Sequence, residues 1–283
     1  MAMSNVISDI SRKRVQDWGI YAVLYGVAFL FLVPYLWMFS TSIKPQGQVF
    51  TQVPHWIPAD VTARWYLLLL QETPIVQWVI NTFVISTVTT VMVLTIDSMI
   101  AFAITKLDWP GKRYVLGIII ASFMVPVYVN IIPLYTLISE LGLLNNYLAV
   151  ILPFAAGPLG VFMLVQFFRD VPDELIEAAR LDGFSSLRIY THIVLPLMKP
   201  ALVSLALFMF VWSWNQFLWP LLVLQNSMAY TLPIGLVTMQ PTNVYQPGVE
   251  MAAAAIASVP LFVVFLLLQD QLINAIQMQG ATK

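Results

Sequence analysis

Residues Ala22–Phe39 read AVLYGVAFLFLVPYLWMF, and this stretch decides the fold class. It lies within a longer segment, Trp18 to Ile43, that holds no charged side chain. A bilayer core takes about 20 consecutive, mostly apolar residues as one helix, and this segment has that length and character. It is too long for the apolar region of a signal peptide, roughly 7–15 residues, and no small-residue cleavage site follows it. It is therefore expected to be a retained first membrane helix.

The same reading, from charge to charge, continues along the chain. It predicts further spans at about 79–104, 114–136, 146–168, 201–224 and 251–273, with the first at about 18–39. Six spans organise the chain into an N-terminal segment 1–17, a membrane domain 18–275 with a loop at 169–200, and a tail 276–283. The composition agrees. Of 283 residues 60% are hydrophobic and only 10% charged, where a soluble domain carries about 25% charge. So few charges cannot cover a water-facing globule, which excludes a soluble enzyme, a nucleic-acid binder and a disordered chain. A formal net charge of −1 offers no field for a polyanion. Cysteine is absent and the only histidines are His55 and His192, so neither thiolate nor histidine-rich metal sites are available.

Orientation follows from Lys and Arg in the loops. With the N-terminus inside, the inner segments hold Arg12, Lys13, Arg14, Lys106, Lys112, Arg113, Arg169, Arg180, Arg188, Lys199 and Lys283. The outer segments hold only Lys44 and Arg64. Both termini are expected to be cytoplasmic. Pro34, Pro126, Pro153, Pro158 and Pro260 fall within the spans. Either they kink helices around a pathway, because each frees a backbone carbonyl, or they reflect the general frequency of Pro in membrane helices.

One loop carries a pattern. Residues 169–200 hold nine of the 27 charged residues: Arg169, Asp170, Asp173, Glu174, Glu177, Arg180, Asp182, Arg188 and Lys199. Asp170 is a suitable N-cap, Pro172 suits the first turn, and Asp173 and Glu174 favour the positive end of a helix dipole. Leu175, Ala178, Ala179 and Asp182 trace one face of the helix, and Ile176, Arg180 and Gly183 another. Gly183 is the expected stop, since Gly takes left-handed backbone angles without steric cost. Ser185 or Ser186 then caps a second helix, ending at Leu195-Pro196. The physical reading is a docking element for another protein; the plainer one is a solvated loop.

Glu177-Ala178-Ala179, Gly183, Ile193 and Leu195-Pro196 reproduce the spacing EAA-x3-G-x9-I-x-L-P at every position. This resembles the cytoplasmic loop signature of binding-protein-dependent ABC importer permeases. Other stretches resemble the carbohydrate-uptake branch, the maltose-type second permease: Ser42-Ile43-Lys44-Pro45, Asn81-Thr82, Pro133-Leu134-Tyr135, Leu141-Gly142-Leu143 with Asn145, Trp214-Asn215-Gln216-Phe217-Leu218-Trp219-Pro220, and Thr231-Leu232-Pro233. The branch's usual form has an acid where Gln216 stands. The likeness runs from about residue 20 to the C-terminus, and Gly280-Ala281 matches the branch's glycine-rich tail only loosely.

The resemblance implies an all-α integral membrane protein with six transmembrane helices, the type I ABC importer transmembrane domain, and a cytoplasmic coupling helix. It implies a bacterial or archaeal plasma membrane location. It also implies a working unit with a second six-span permease, two ATPase subunits, an extracytoplasmic solute-binding protein and a sugar as cargo. ATP and Mg would be bound by the ATPase partner. The residues agree: a phosphate-cradling loop reads G-x4-G-K-[ST], whereas Gly111-Lys112 is followed by Arg113 and preceded by Lys106 at the first Gly position. On this view Glu177 pairs with a basic group on the ATPase subunit, Ala178 and Ala179 permit close contact, and Gly183 sets the turn. Asp182 and Arg180 either add rim contacts or are simply solvated, and Ile193, Leu195 and Pro196 complete the loop.

Two other features call for a reading. Asp97 lies inside the second span, where an acid is by default a functional candidate. It either marks a gradient-driven carrier or pairs with a nearby cation or a wet cavity. Trp212, Asn215 and Trp219 fall at i, i+3 and i+7, one face of a fifth helix. They either line a sugar path, ring faces against aromatic faces, or form an interfacial aromatic belt. A membrane-embedded enzyme is a poor fit, because no nucleophile, base and metal ligands gather on one face. The outer loop 40–77, with Pro54-His55-Trp56-Ile57-Pro58, either lies on the membrane or meets a binding protein.

Overall fold

The structure, a computed structural model, describes residues 2–49, 55–239 and 246–281, with side chains over 18–49, 55–126, 128–239 and 246–271. The basic side chains of Arg12, Lys13 and Arg14, and residues Pro54 and Lys283, lie outside the described residues. Among the described residues all regular structure is helical. Three helices are long and apolar enough to cross a bilayer: Trp18–Ser42, Ile75–Lys106 and Pro247–Gln271. Two bent pairs, Tyr147–Phe154 with Pro158–Arg169 and Ser186–Leu197 with Lys199–Trp214, raise the count to five.

The chain divides into two compact units, Met1–Gln71 with Pro241–Ile256 and Glu72–Gln240 with Ala257–Lys283. In the first, the helix Ala2–Ser42 exposes its apolar side chains almost throughout its described length, as a helix facing lipid or another chain does. Among its described residues, the C-terminal end is tied down. Tyr66 donates its hydroxyl to Ser42 Oγ at 2.7 Å, and the Trp65 indole donates to Lys44 O at 2.7 Å. Lys44 Nζ sits 4.1 Å from the Trp37 ring centroid.

The second unit is built on the helix Ile75–Lys106, here called the central helix. It has no Gly or Pro over 32 residues, and its many Val, Ile and Thr side chains do not prevent helix formation. In lipid every backbone polar group needs an internal partner, which overrides β-propensity. Four of its threonines turn back onto their own helix: Thr82 to Trp78 O, Thr90 to Ser86 O, Thr95 to Val91 O and Thr105 to Ala101 O. Two side chains from the following turn satisfy carbonyls at its end, Trp109 Nε1 at Ala103 O (2.9 Å) and Lys112 Nζ at Leu107 O (3.0 Å). Lys112 also bonds Asp108 at 3.0 Å, and that bond and charge hold the Asp108 carboxyl below the usual carboxylate range.

Pro158–Arg169 and Lys199–Trp214 pack along the central helix. Near Lys106 the core gathers Phe102, Leu164, Phe168, Ile176, Ala179 and Leu205; near the other end it gathers Ile85, Ile138, Ile151, Trp219 and Ile234.

The single helices expected for three spans are corrected by the structure. The span 114–136 is broken: Lys112–Ser122, a turn at Val127–Asn130, then Ile131–Glu140. Pro126 stands at the break in extended backbone, where its missing N–H costs no helical bond. The span 146–168 bends by 44° across Ala155–Gly157, with Pro158 opening the second half. The span 201–224 stops at Trp214 and resumes at Leu218. Pro34 and Pro260, by contrast, stay inside uninterrupted helices.

Candidate functional site: the Glu177 helix, Asp97 and the cavity beside Trp212

The charged loop forms a helix at Asp173–Leu181. Its N-cap is Pro172; Asp170, expected in that place, instead closes Pro158–Arg169. No side-chain hydrogen bond caps it; Lys106, at the end of the central helix, instead grips the residues that open it. Its ammonium donates to Val171 O at 2.6 Å and pairs with Asp173 Oδ1 at 2.7 Å, its side chain only 3% exposed. Arg180, near the other end of the same helix, donates Nη2 to Lys106 O at 3.0 Å.

Gly183 adopts φ +79°, the left-handed angle read for it, and Phe184 N closes the turn onto Ala179 O at 2.9 Å. Ser185 caps the next helix by accepting from Arg188 N. That helix runs past the expected stop: it widens into a π-turn over Tyr190–Val194 and continues through Pro196 to Leu197. The wider turn accommodates a proline that an ideal α-turn would reject. Ile193 and Leu195 are half-buried against the core, and Pro196 is exposed.

The two faces of the Glu177 helix divide differently from the sequence reading. Ile176 and Ala179 are buried together, three residues apart, and hold the helix to the protein. Glu174, Leu175, Glu177, Ala178 and Leu181 are exposed, Leu181 to 89%. Of the two alanines, only Ala178 is free to contact a partner. Asp182 and Gly183 are exposed beside them.

Asp97 is fully buried, and both carboxylate oxygens accept from Gly157 N at 3.2 and 3.3 Å. Gly157 is the N-cap of Pro158–Arg169, so an acid on one helix closes the N-terminus of another. Gly160 makes the room: a Cβ there would lie 2.0 Å from Asp97 Oδ2. This burial and backbone bonding meet the demand for a reason without a solvated cavity.

Trp212, Asn215 and Trp219 do not share a helical face. Asn215 closes the helix Lys199–Trp214, and its amide donates back to Val211 O at 2.7 Å. Trp219 is 3% exposed and its indole donates to Ala149 O at 2.9 Å, so it is a core residue. Trp212 and Asn215 do share a cavity of about 770 Å³ with Tyr128, Ser204, Phe208 and Gln216, whose lining carries no charged side chain. The Trp212 ring is held edge-on to Phe154 at 5.0 Å.

At the other end of the central helix, sequence reasoning noticed Asn81 only as part of a motif. In the structure it is a fully buried hub. Its Oδ1 accepts from Gln77 (2.7 Å) and Tyr147 (2.6 Å), and its Nδ2 donates to Met228 O and Tyr230 O, each at 2.8 Å. Thr82 accepts from Leu232 N, and the Trp78 indole donates to Ser227 O, both at 2.7 Å. Asn145, at φ +61°, accepts from Gln225 N and Asn226 N. Residues 227–232 are thereby fastened to the helix, and 225–226 to Asn145.

Long apolar helices, broken spans around an uncharged cavity and a protruding charged helix define a membrane transport subunit without an ATPase loop of its own. The model of the family described as "Binding-protein-dependent transport system inner membrane component" matches residues 98–277, and the chain belongs to that family. It is thus a multi-pass permease subunit of an ABC importer, not an enzyme. It is 32% identical over 269 residues to the arabinooligosaccharides transport system permease protein AraQ of Halalkalibacterium halodurans, covering 94% of this chain and 96% of that one. It is 32% identical over 268 residues to the sn-glycerol-3-phosphate transport system permease protein UgpE of Yersinia pestis, covering 92% and 95%. Among solved structures it is similar, with a TM-score of 0.77 and 26% identity over 89% of this chain and 94% of that one, to a chain of a bacterial ABC transporter involved in the import of the acidic polysaccharide alginate.

Proposed function

We propose that this chain forms half of the translocation path for a neutral di- or oligosaccharide and couples it to ATP hydrolysis through the Glu177 helix. The observation that carries the coupling is the exposed strip Glu174, Leu175, Glu177, Ala178 and Leu181 on a helix anchored from behind by Ile176 and Ala179. A mixed acidic and apolar strip with one small residue fits a groove on a partner that supplies a basic group. Truncating one side of such a pair costs roughly 2–5 kcal/mol. The partners inferred are two ATPase subunits that bind ATP and Mg, a second six-span permease and an extracytoplasmic binding protein.

The saccharide class rests on two supports. The relatives named above handle arabinooligosaccharides, glycerol phosphate and alginate. The cavity beside Trp212 offers aromatic rings, two hydroxyls and two amides with no cation, which suits a neutral sugar over a phosphate or uronate. Trp212 and Asn215 are the path residues of this proposal; Trp219 supports them from the core. Six spans, with the boundaries at 18–275, a cytoplasmic Glu177 helix and cytoplasmic termini complete the reading, supported by the bias of eleven inner against two outer basic residues.

The test is purification from the native host in mild detergent. An ATP-hydrolysing subunit and a second permease are expected to accompany the wild-type chain, and Glu177→Arg is expected to lose the former while keeping the latter. A chain that purifies alone, or a Glu177→Arg variant that keeps its ATPase partner and its transport, contradicts the proposal.

A further inference from the structure

The central helix carries a fixed joint at each end. At Lys106 the side chain grips Val171 O and Asp173, and the carbonyl receives Arg180, so one residue holds both ends of the Glu177 helix. Apolar packing by Ile176 and Ala179 is non-directional and permits sliding, whereas these three bonds fix the register of the Glu177 helix against the central helix. At Asn81 four hydrogen bonds pin Gln77, Tyr147 and the Met228–Tyr230 backbone, and Thr82 and Trp78 add Leu232 and Ser227. Between the joints run 25 residues with neither Gly nor Pro, about 38 Å at 1.5 Å per residue. Sharp kinks arise at Pro, at Gly/Ser pairs, at π-bulges or where a side chain or water enters the ladder, and this helix holds neither Pro nor Gly.

We propose that Lys106 is a positioning residue, the joint through which displacement of the Glu177 helix moves the central helix and, at its far end, the segment 227–232. This rests on the importer reading above and specifies how the docked helix acts. The Glu177 helix does not then act only through the halves of the broken spans. One unbroken rod links the ATPase side to the opposite face, and the two faces change together.

The test uses the assembled importer in liposomes with its binding protein. The chain has no cysteine, so Met228→Cys, on a half-exposed side chain next to an Asn81 bond, carries a unique spin label. In the otherwise native chain, trapping with ATP and vanadate is expected to shift the label's spectrum. Lys106→Met keeps the length of the side chain and removes its charge and donors. It is expected to leave assembly and basal hydrolysis intact and to reduce the label's shift at least about fivefold, the lower end of typical coupling strengths. Lys106→Arg is expected to restore most of the shift. Asp173→Asn and Arg180→Gln, both exposed at the same joint, read it independently should Lys106→Met fail to assemble. A full label shift in Lys106→Met, or in both substitutes, overturns the joint. A wild-type chain that recruits no ATP-hydrolysing subunit overturns the importer reading, and the joint with it.

Discussion

The two ends of the central helix are built by opposite means. At the Lys106 end a short helix lies on the core with half its surface bare, held by two buried side chains and a three-bond clasp. At the Asn81 end irregular backbone is fastened at many points and the polar groups are spent internally. The first arrangement leaves a face to offer a partner. The second leaves a rigid piece that can move only as a whole. A permease needs both: a surface that receives force and a body that does not absorb it.

The largest expected effect is at the Asn81 hub. Asn81→Leu preserves bulk and leaves the Gln77 amide, the Tyr147 hydroxyl and two carbonyls without their partner. At about 1–3 kcal/mol per unsatisfied buried group, the loss is about 4 kcal/mol or more, measured by denaturant titration in detergent micelles. A variant as stable as wild type would erase the difference between the two ends. Gly235→Ala comes next. Its Cβ would lie 2.1 Å from Trp78 Cε3, and Trp78 is held by its bond to Ser227 O. Overpacking of this kind costs about 1–3 kcal/mol, and a melting temperature unchanged in detergent would contradict the close approach.

At the Lys106 end the two alanines separate fold from docking. Ala179→Leu is expected to lower stability by about 1–3 kcal/mol through overpacking. Ala178→Leu is expected to leave stability within about 0.5 kcal/mol while weakening capture of the ATPase subunit in a pull-down. Equal effects of the two substitutions would mean that the exposed strip is misassigned. An effect smaller than that of Ala179→Leu is expected at Gly183. Its added Cβ meets nothing within 4 Å, so Gly183→Ala is opposed only by the angle of +79°, worth about 1–2 kcal/mol. Loss of several times that amount would show that the turn is also a contact.

The sequence made the Lys106 end legible because its determinants are local. A helix with acids in its first turn, a left-handed Gly and a serine cap are all written within a few residues of one another. What it hid there was depth. Ala178 and Ala179 are neighbours in the chain, and only contact with a distant core distinguishes them. Lys106 read as a topology signal, because nothing near it in sequence announces Val171 or Asp173. The Asn81 end was opaque for the same reason at larger scale. Its partners lie 66 and 147–149 residues away, and an isolated Asn in an apolar run says only that a partner exists. The interrupted fifth span shows another limit. Leu205 to Leu224 is apolar but for Ser213, Asn215 and Gln216, and the one signal for the break at Asn215–Phe217 is Pro220 beyond it, whose ring a helical Gln216 carbonyl would meet. Asp97 was rightly singled out as needing a reason, and Gly157 and Gly160, on a different span, supply it.

The most direct test of the account is uptake of the radiolabelled saccharide that the co-purified binding protein retains, into liposomes holding the chain with that protein, its partner permease and the ATPase subunits. Uptake is expected to require internal ATP, to persist when proton and sodium gradients are collapsed, and to survive Asp97→Asn wherever the fold does. Uptake that ignores ATP, follows an ion gradient and fails with a well-folded Asp97→Asn protein would contradict it.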